Sequence, residues 1–210
     1  MKYKNLFFDL DGTLSNSYKG IALALDQMFA KFNLSIPKSE YHNYIGPPLI
    51  TSFGMHFKGQ QLDDAIACFR EYYHTKGCYV NELYDGMEQT LKVLKQRGYK
   101  LFVGTTKKES VAIMVIKFLN IFDYFDDIFG ADDLLRPEKE QVLEYGLQKC
   151  NLKATESLMI GDTMYDLLGA KKTNMDCMLC AYGFGDVQEL MQYNPKFVVD
   201  SPLDILNVLD

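Results

Sequence analysis

A pair of aspartates follows the first apolar run of the sequence. Asp9 and Asp11 stand in the segment Asp-Leu-Asp-Gly-Thr directly after residues 6–8, which are Leu-Phe-Phe. In a parallel sheet, ligands bind at the carboxyl ends of the strands, and Gly12 lets the chain turn so that both carboxylates can face that crevice. Two carboxylates this close repel each other unless a cation lies between them. A solvated Asp-Gly turn is the alternative interpretation.

A second pair of aspartates follows another apolar run. Asp162 and Asp166 come after residues 158–160 and open a helix-like stretch. Residues four apart lie on one side of a helical turn, and carboxylates there also suit a helix N-terminus, so plain capping is the alternative. Two aspartate clusters at two strand ends favour a Mg²⁺ site, because Mg²⁺ is bound through one or two carboxylates, water and substrate phosphate.

Two further segments contain residues that could bind phosphate, although their sequence patterns are weaker. Thr105 and Thr106 follow the strand-like run 101–103 and offer hydroxyl and backbone N–H groups. Lys139 stands near a predicted helix start, where its charge matters only if that end of the helix points into the crevice. Each pattern alone is equally typical of a surface turn or a solvated charge.

The elements that must position these residues follow from the apolar pattern. Residues 1–15 and 85–210 alternate short β-like runs with helix-like stretches, which predicts right-handed crossovers and an α/β fold with a mainly parallel, Rossmann-like sheet sandwiched by helices. The β-like runs are 6–8, 101–103, 128–129, 158–160, 177–180 and 197–199; the helix-like stretches are 86–97, 109–119, 139–150, 164–172, 186–192 and 202–208.

Residues 16–84 have a different, helical texture. Ser17 is a plausible N-cap for a helix through Phe32, prolines then break the chain, and residues 63–74 are again helical. Such an insert is too long for an ordinary loop. We expect a small α-helical cap domain at 16–84, inserted into a core domain formed by 1–15 and 85–210.

Charge and composition restrict the function. The 210 residues contain 22 Lys and Arg against 28 Asp and Glu, a net charge of −6, and no basic run suggests a nucleic-acid surface. No apolar run is long enough for a transmembrane helix, and the N-terminus lacks signal-peptide features. Five cysteines without a disulfide framework predict a reducing, cytoplasmic location. An acidic chain needs a local cation to attract an anionic substrate, and the insert contains no basic cluster.

Together these motifs resemble the haloacid dehalogenase superfamily of phosphohydrolases, in particular its phosphoglycolate phosphatase-like branch. The family's DxDGT motif matches residues 9–13, and its GDxxxD motif matches residues 161–166. Thr105 matches the hydroxyl residue that ends the next core strand, and Lys139 matches the motif lysine, for which Arg136-Pro137 is a weaker candidate. The segment beginning Gly46-Pro47 resembles the substrate-facing cap loop, although it could equally be a helix-breaking linker.

The resemblance implies a role for each matched residue. Asp9 is expected to be the nucleophile and Asp11 the general acid and base, with Thr105 and Lys139 holding the phosphoryl group. Mg²⁺ is expected to be held by Asp9, the backbone carbonyl of Asp11, Asp162 and Asp166. The expected phosphate- or substrate-binding residues are Gly12, Thr13, Thr105, Thr106, Lys139, Gly46 and Pro47.

We therefore expect a Mg²⁺-dependent phosphomonoester hydrolase that acts on a small phosphorylated metabolite through an aspartyl-phosphate. A β-phosphoglucomutase-like phosphomutase and a non-catalytic phospho-metabolite-binding regulator are the alternatives. We expect no nucleic-acid or membrane partner, and a monomer or weak homodimer. The chain departs from the family pattern at Asn16-Ser17, where an acidic pair is common, and at Thr106, where an amide is common.

Overall fold

The computed structural model describes residues 2–132 and 134–209. Within them a six-stranded sheet forms the centre and a two-stranded ribbon lies beside it. The strands are β1 (Asn5–Phe8), β2 (Ser15–Asn16), β3 (Glu82–Leu83), β4 (Lys100–Lys108), β5 (Asp127–Ala131), β6 (Ser157–Gly161), β7 (Asp176–Cys180) and β8 (Phe197–Val199). The large sheet has the order β5-β4-β1-β6-β7-β8, and all its pairs are parallel, which confirms the predicted fold class.

Helices cover both faces of the large sheet. The helices of the described chain are α1 (Tyr18–Lys31), α2 (Leu49–Phe53), α3 (Gln60–Thr75), α4 (Met87–Gln96), α5 (Glu109–Phe118), α6 (Lys139–Lys149), α7 (Met164–Lys172), α8 (Val187–Leu190) and α9 (Asp204–Val208). Short 3₁₀ turns occupy Lys38–Tyr44, Gly77–Tyr79, Phe122–Tyr124, Ala154–Glu156 and Met191–Tyr193. Each predicted helix-like stretch after residue 85 contains one of these helices.

Two apolar clusters lie on the two faces of the sheet, because neighbouring residues of a strand point to opposite sides. Leu6 and Phe8 of β1 join one cluster with residues of α4, α5 and α9, whereas Phe7 joins the other with residues of α6 and α7. All four residues of β1 are buried, as expected for a central parallel strand. The apolar runs in the sequence therefore identify strands that are covered on both faces.

The segment between β2 and β3 is helical, as the sequence predicts. Its helices α1 and α3 are joined to the rest of the chain by the β2–β3 ribbon, in which Ser15 pairs with Leu83 and Asn16 with Glu82. A strand of two residues has no alternating pattern of apolar residues, so the sequence does not predict this ribbon. The expected boundaries of the insert fall at this ribbon, and the division into core and cap domains stays a prediction.

Smaller details of the prediction need correction. Ser17 precedes α1 as expected, but its side chain makes no capping bond, and its hydroxyl is buried without a hydrogen-bond partner among the described residues.

Residues 177–180 lie in β7, and Cys177 and Cys180 are buried free thiols. In the described part of the chain, no helix combines the length and the apolar character that crossing a membrane requires.

Phe7 should be a main contributor to the stability of the sheet. Its ring is fully buried and stacks on Phe102 at 4.9 Å and on Phe129 at 6.1 Å between ring centroids. We expect Phe7→Ala to lower the free energy of unfolding by about 3–5 kcal/mol, because it leaves a cavity among aromatic rings. Urea unfolding measures this loss, with Phe118→Ala, at a ring that is 42% exposed, as the matched control. Equal losses in the two variants would contradict the packing described here.

Candidate active site

The order of the strands brings the predicted site residues together. The carboxyl ends of β4, β1 and β6 are neighbours in the sheet, and they carry Thr105, Asp9 and Asp162 respectively. All three side chains are almost fully buried. Carboxylate oxygens of Asp9, Asp162 and Asp166 lie within 4.8 Å of one another. The two aspartate pairs, far apart in the sequence, thus meet at one edge of the sheet.

Asp162 is held by the loops on either side of it. Its Oδ1 accepts a hydrogen bond from the Thr13 hydroxyl at 2.8 Å, and its Oδ2 accepts one from the Phe184 backbone N–H at 2.8 Å. Gly12 has φ +82°, and a Cβ there would lie 2.1 Å from Asp162 Oδ2, so no side chain fits between the two segments. The Thr13 hydroxyl therefore binds a carboxylate, and its role in phosphate binding stays a prediction.

Asp166 both caps a helix and contacts the site. Its Oδ2 accepts hydrogen bonds from the backbone N–H of Thr163 at 3.0 Å and from the Thr163 hydroxyl at 2.9 Å, which forms a capping box at the start of α7. Its Oδ1 lies 2.7 Å from the ammonium nitrogen of Lys139. The capping and the functional interpretations of this aspartate are thus both consistent with the structure.

Lys139 is the cation of the buried cluster. It begins α6 and is only 1% exposed. Its Nζ lies 2.9 Å from Asp9 Oδ1 and 2.7 Å from Asp166 Oδ1, and it donates to the Gly104 carbonyl at 3.0 Å. The three donors of the ammonium group thus have three acceptors. The weaker candidate, Arg136, is bound elsewhere, because its guanidinium pairs with Glu109 at 2.8 Å.

The single positive charge of Lys139 does not balance the negative charges of the three buried carboxylates. Burial, together with the charges of Asp166 and Asp11, raises the pKa of Asp9 to about 6 against the opposing effect of Lys139. Burial and the neighbouring carboxylates also raise the pKa of Asp162 well above its ordinary value. Burial lowers the pKa of Lys139, but Asp166 and Asp9 outweigh burial and the net pKa is raised, so the amine stays charged.

This environment fits a divalent cation. Hard carboxylate oxygens in a buried cluster with excess negative charge are the donor set that Mg²⁺ takes. A second positive charge beside Lys139 would stabilise the ionised forms of Asp9 and Asp162, which burial alone disfavours. The cluster is therefore compatible with a metal ion bound by these carboxylates.

Asp11 lies apart from the carboxylate cluster and pairs with a lysine that the sequence analysis did not select. Lys107 Nζ lies 2.8 Å from Asp11 Oδ2 and 3.0 Å from the Tyr73 hydroxyl. The backbone N–H of Lys107 also donates to the Thr105 hydroxyl at 3.2 Å. The position of Lys107, two residues after the motif threonine, was the only available signal in the sequence.

A cavity of about 700 Å³ opens between the sheet edge and the insert. Its walls include predicted residues from both parts of the chain, namely Asp11, Gly46, Pro47 and Thr106, together with Lys107. The Thr106 hydroxyl donates to the Gly46 carbonyl at 3.1 Å, so the loop that begins Gly46-Pro47 is tied to the end of β4. The Thr106 hydroxyl thus has a protein partner, and its contact with phosphate stays a prediction.

Basic side chains from the insert and from the sheet meet in the cavity. In the sequence of the insert alone they form no cluster. The fold nevertheless places Arg70 and His74 of α3 in the same cavity as Lys107 and Lys108 of β4. Burial lowers the pKa of His74, and the charges of those three basic residues lower it further. Three charged basic side chains therefore line the cavity, beside the carboxylates of Asp11, Asp63 and Glu138.

The comparison with known families decides the assignment. Residues 6–180 match the family model described as haloacid dehalogenase-like hydrolase. The chain belongs to the haloacid dehalogenase-like hydrolases. The resemblance that the DxDGT and GDxxxD motifs suggested is thus confirmed.

Individual haloacid dehalogenase-like proteins are similar over nearly the whole chain. A 5'-nucleotidase of Pseudomonas aeruginosa is 33% identical over 199 residues, which cover 93% of this chain and 90% of that protein. A phosphoglycolate phosphatase of Vibrio vulnificus is 29% identical, with 98% and 96% covered. The solved structure of a haloacid dehalogenase-like hydrolase from Streptococcus pneumoniae is 33% identical, with a TM-score of 0.94 and 100% and 99% covered. This haloacid dehalogenase-like protein is a phosphatase.

The raised pKa of Asp9 predicts how the stability of the metal-free protein depends on pH. The folded state binds the Asp9 proton more tightly than the unfolded chain, so stability is gained as the pH falls through about 6 and lost as it rises. Relative to Asp9→Asn, the wild-type free energy of unfolding should rise by about 1 kcal/mol between about pH 7 and about pH 5. Denaturant unfolding in a chelator measures both proteins. A difference that stays constant over this range would contradict the buried charge at Asp9.

Proposed function

We propose that this phosphatase hydrolyses a phosphate monoester of a small metabolite in two steps, through a phosphoryl group carried on Asp9 and with Mg²⁺ as cofactor. The observation that supports this most strongly is the position of Asp9. Its carboxylate is buried at the end of β1, contacts Lys139 at 2.9 Å and lies in the cluster with Asp162 and Asp166. A buried carboxylate beside a fixed cation and a candidate metal site is arranged to attack an anionic phosphoryl group.

In the first step, a carboxylate oxygen of Asp9 attacks phosphorus, the bond from phosphorus to the ester oxygen breaks, and Asp11 donates a proton to the leaving alcohol. In the second step, water attacks the phosphorus of the aspartyl-phosphate while Asp11 takes a proton of that water, the bond between phosphorus and the Asp9 oxygen breaks, and inorganic phosphate and the free Asp9 carboxylate result. Asp11 is suited to this exchange because it follows Asp9 by two residues and lines the cavity.

The other predicted residues would hold the phosphoryl group while it moves. Lys139 remains charged and neutralises negative charge beside Asp9, and the hydroxyl of Thr105 is buried at the neighbouring strand end. Mg²⁺, held by Asp9, the Asp11 carbonyl, Asp162 and Asp166, would supply the additional positive charge that phosphoryl transfer requires. Its charge would also offset the repulsion among the three buried carboxylates.

The insert would enclose the substrate. Its loop at Gly46 is bonded to Thr106, and α3 forms the opposite part of the cavity wall. We propose that residues 16–84 form a cap domain on a core of 1–15 and 85–210, with the β2–β3 ribbon as the connection that allows them to move relative to each other. Closure of such a cap excludes water during the first step. The cavity volume suits a small metabolite.

Asp9→Asn should abolish hydrolysis of aryl phosphates. We expect kcat to fall by at least about three orders of magnitude, because the amide cannot accept the phosphoryl group. Inorganic phosphate release in Mg²⁺ measures the rate. Asp123→Asn, at an exposed aspartate far along the chain, is the matched control and should keep wild-type activity. Substantial turnover by the Asp9 variant would refute the nucleophile assignment.

Mg²⁺ should stabilise the folded protein through the carboxylate cluster. A ligand that binds only the native state adds about 2.7 kcal/mol at a hundredfold excess over its dissociation constant, and this raises Tm. We expect Mg²⁺ to raise the Tm of the wild type and of Asp123→Asn, and to have little effect on Asp162→Asn. Thermal unfolding with and without EDTA measures the shift. An undiminished shift in Asp162→Asn would place the ion elsewhere.

A further inference from the structure

A nearly buried lysine connects three parts of the molecule that come from distant segments. Lys107 at the end of β4 contacts Asp11, which follows β1, at 2.8 Å from Nζ to Oδ2. The same nitrogen contacts the Tyr73 hydroxyl of α3 at 3.0 Å and lies 4.2 Å from the centroid of the Tyr73 ring. Only 11% of the Lys107 side chain is exposed. The ammonium group thus bridges the sheet edge and the helical insert.

Tyr73 is fixed to the insert and not to the sheet. Its side chain is 3% exposed, and its ring is parallel to that of Phe69, one turn earlier in α3, with 5.8 Å between centroids. A Cβ at Gly77 would lie 2.9 Å from the Tyr73 ring, so the following turn also packs against it. The position of the hydroxyl therefore reports the position of α3.

The contact with Lys107 distinguishes the two oxygens of Asp11. Oδ2 is bound to the lysine, whereas Oδ1 is buried without a hydrogen-bond partner among the described residues. A buried acceptor without a partner is unfavourable, and a group that can share a proton with it would satisfy it. The lysine thus fixes the carboxylate in one orientation and leaves one oxygen available.

We propose that Lys107 is a positioning residue that transmits the position of the insert to the Asp11 carboxylate. With α3 in place, Tyr73 and Asp11 both hold the ammonium group, and Asp11 presents Oδ1 to the leaving oxygen of the substrate. With α3 displaced, Lys107 loses one of its two side-chain partners and Asp11 loses its fixed orientation. The acid step then occurs only beneath a closed insert. This inference rests on the proposed function, in which Asp11 protonates the leaving group.

The dependence on the leaving group tests this role. A general acid assists the departure of a poor leaving group far more than that of a good one. Phenyl phosphate and para-nitrophenyl phosphate have similar shapes but differ in how much their leaving oxygens need a proton. The kcat/KM values for the two substrates, compared between variants, report the step in which Asp11 donates that proton.

The variants separate the two contacts of the lysine. Lys107→Met removes the charge and keeps most of the stem, Tyr73→Phe removes only the hydroxyl, and Lys107→Arg keeps the charge. Their matched controls are Lys19→Met, at an exposed lysine of α1, and Tyr79→Phe, at an exposed tyrosine of the insert. Neither control residue contacts Asp11, Lys107 or Tyr73 in any contact described here.

We expect Lys107→Met to lower kcat/KM about tenfold more for phenyl phosphate than for para-nitrophenyl phosphate. Tyr73→Phe should change the ratio in the same direction by about threefold, Lys107→Arg should restore part of it, and the controls should leave it unchanged. Hydrogen exchange should also become faster in α3 for Lys107→Met and Tyr73→Phe, because one contact that holds the insert is lost.

Two results would overturn the proposal. Equal losses for the two substrates would show that Lys107 does not act through Asp11. A changed ratio with unchanged exchange in α3 would show that Lys107 orients Asp11 without any connection to the insert. Failure of the proposed function is distinguishable from both, because it would appear in the wild-type protein as no Mg²⁺-dependent hydrolysis of either substrate.

Discussion

Three buried carboxylates lie together at the edge of this sheet, one buried lysine contacts two of them, and much of the surrounding structure serves to keep them there. Asp9, Asp162 and Asp166 repel one another in a place from which water is largely excluded, and Lys139 offsets only part of that repulsion. Such a cluster is stable only if the chain holds it through many other contacts. The fold provides them as a capping box, a threonine hydroxyl and backbone N–H groups, each bound to a carboxylate oxygen. The repulsion that remains is what binding a cation can relieve.

The candidate site is formed by two parts of the molecule, the edge of the sheet and the helical insert. The sheet edge holds the groups that need a fixed position, whereas the insert brings Tyr73, His74 and Arg70 over a cavity whose floor includes Asp11 and Lys107. Asp11 lies where the two layers meet. Its neighbour Asp9 contacts Lys139, but Asp11 contacts Lys107, so two aspartates that are two residues apart have separate cations. This separation supports the proposed division of roles, with Asp9 as nucleophile and Asp11 as acid and base.

Much of this could be predicted from the sequence, because apolar runs that end at aspartates leave a strong local signal. The parallel sheet, the helical insert and the meeting of residues 9 and 162 all follow from that pattern. The β2–β3 ribbon could not be predicted, since two-residue strands have no period. The sequence did not point to Lys107, because its contact with Tyr73 forms only when the insert folds. For the same reason the sequence does not predict the protein partners of the Thr13 and Thr106 hydroxyls, which only the folded chain brings near.

Trapping the phosphoryl group would show whether the Asp9 carboxylate accepts it. The protein can be mixed with substrate and Mg²⁺, quenched in acid and treated with borohydride, which reduces an acyl phosphate to an alcohol and leaves free carboxylates intact. Peptide mass spectrometry then locates the modified residue. The account predicts homoserine at position 9 and nowhere else. An unmodified Asp9 in protein that is turning over substrate, or homoserine at another aspartate, would contradict it.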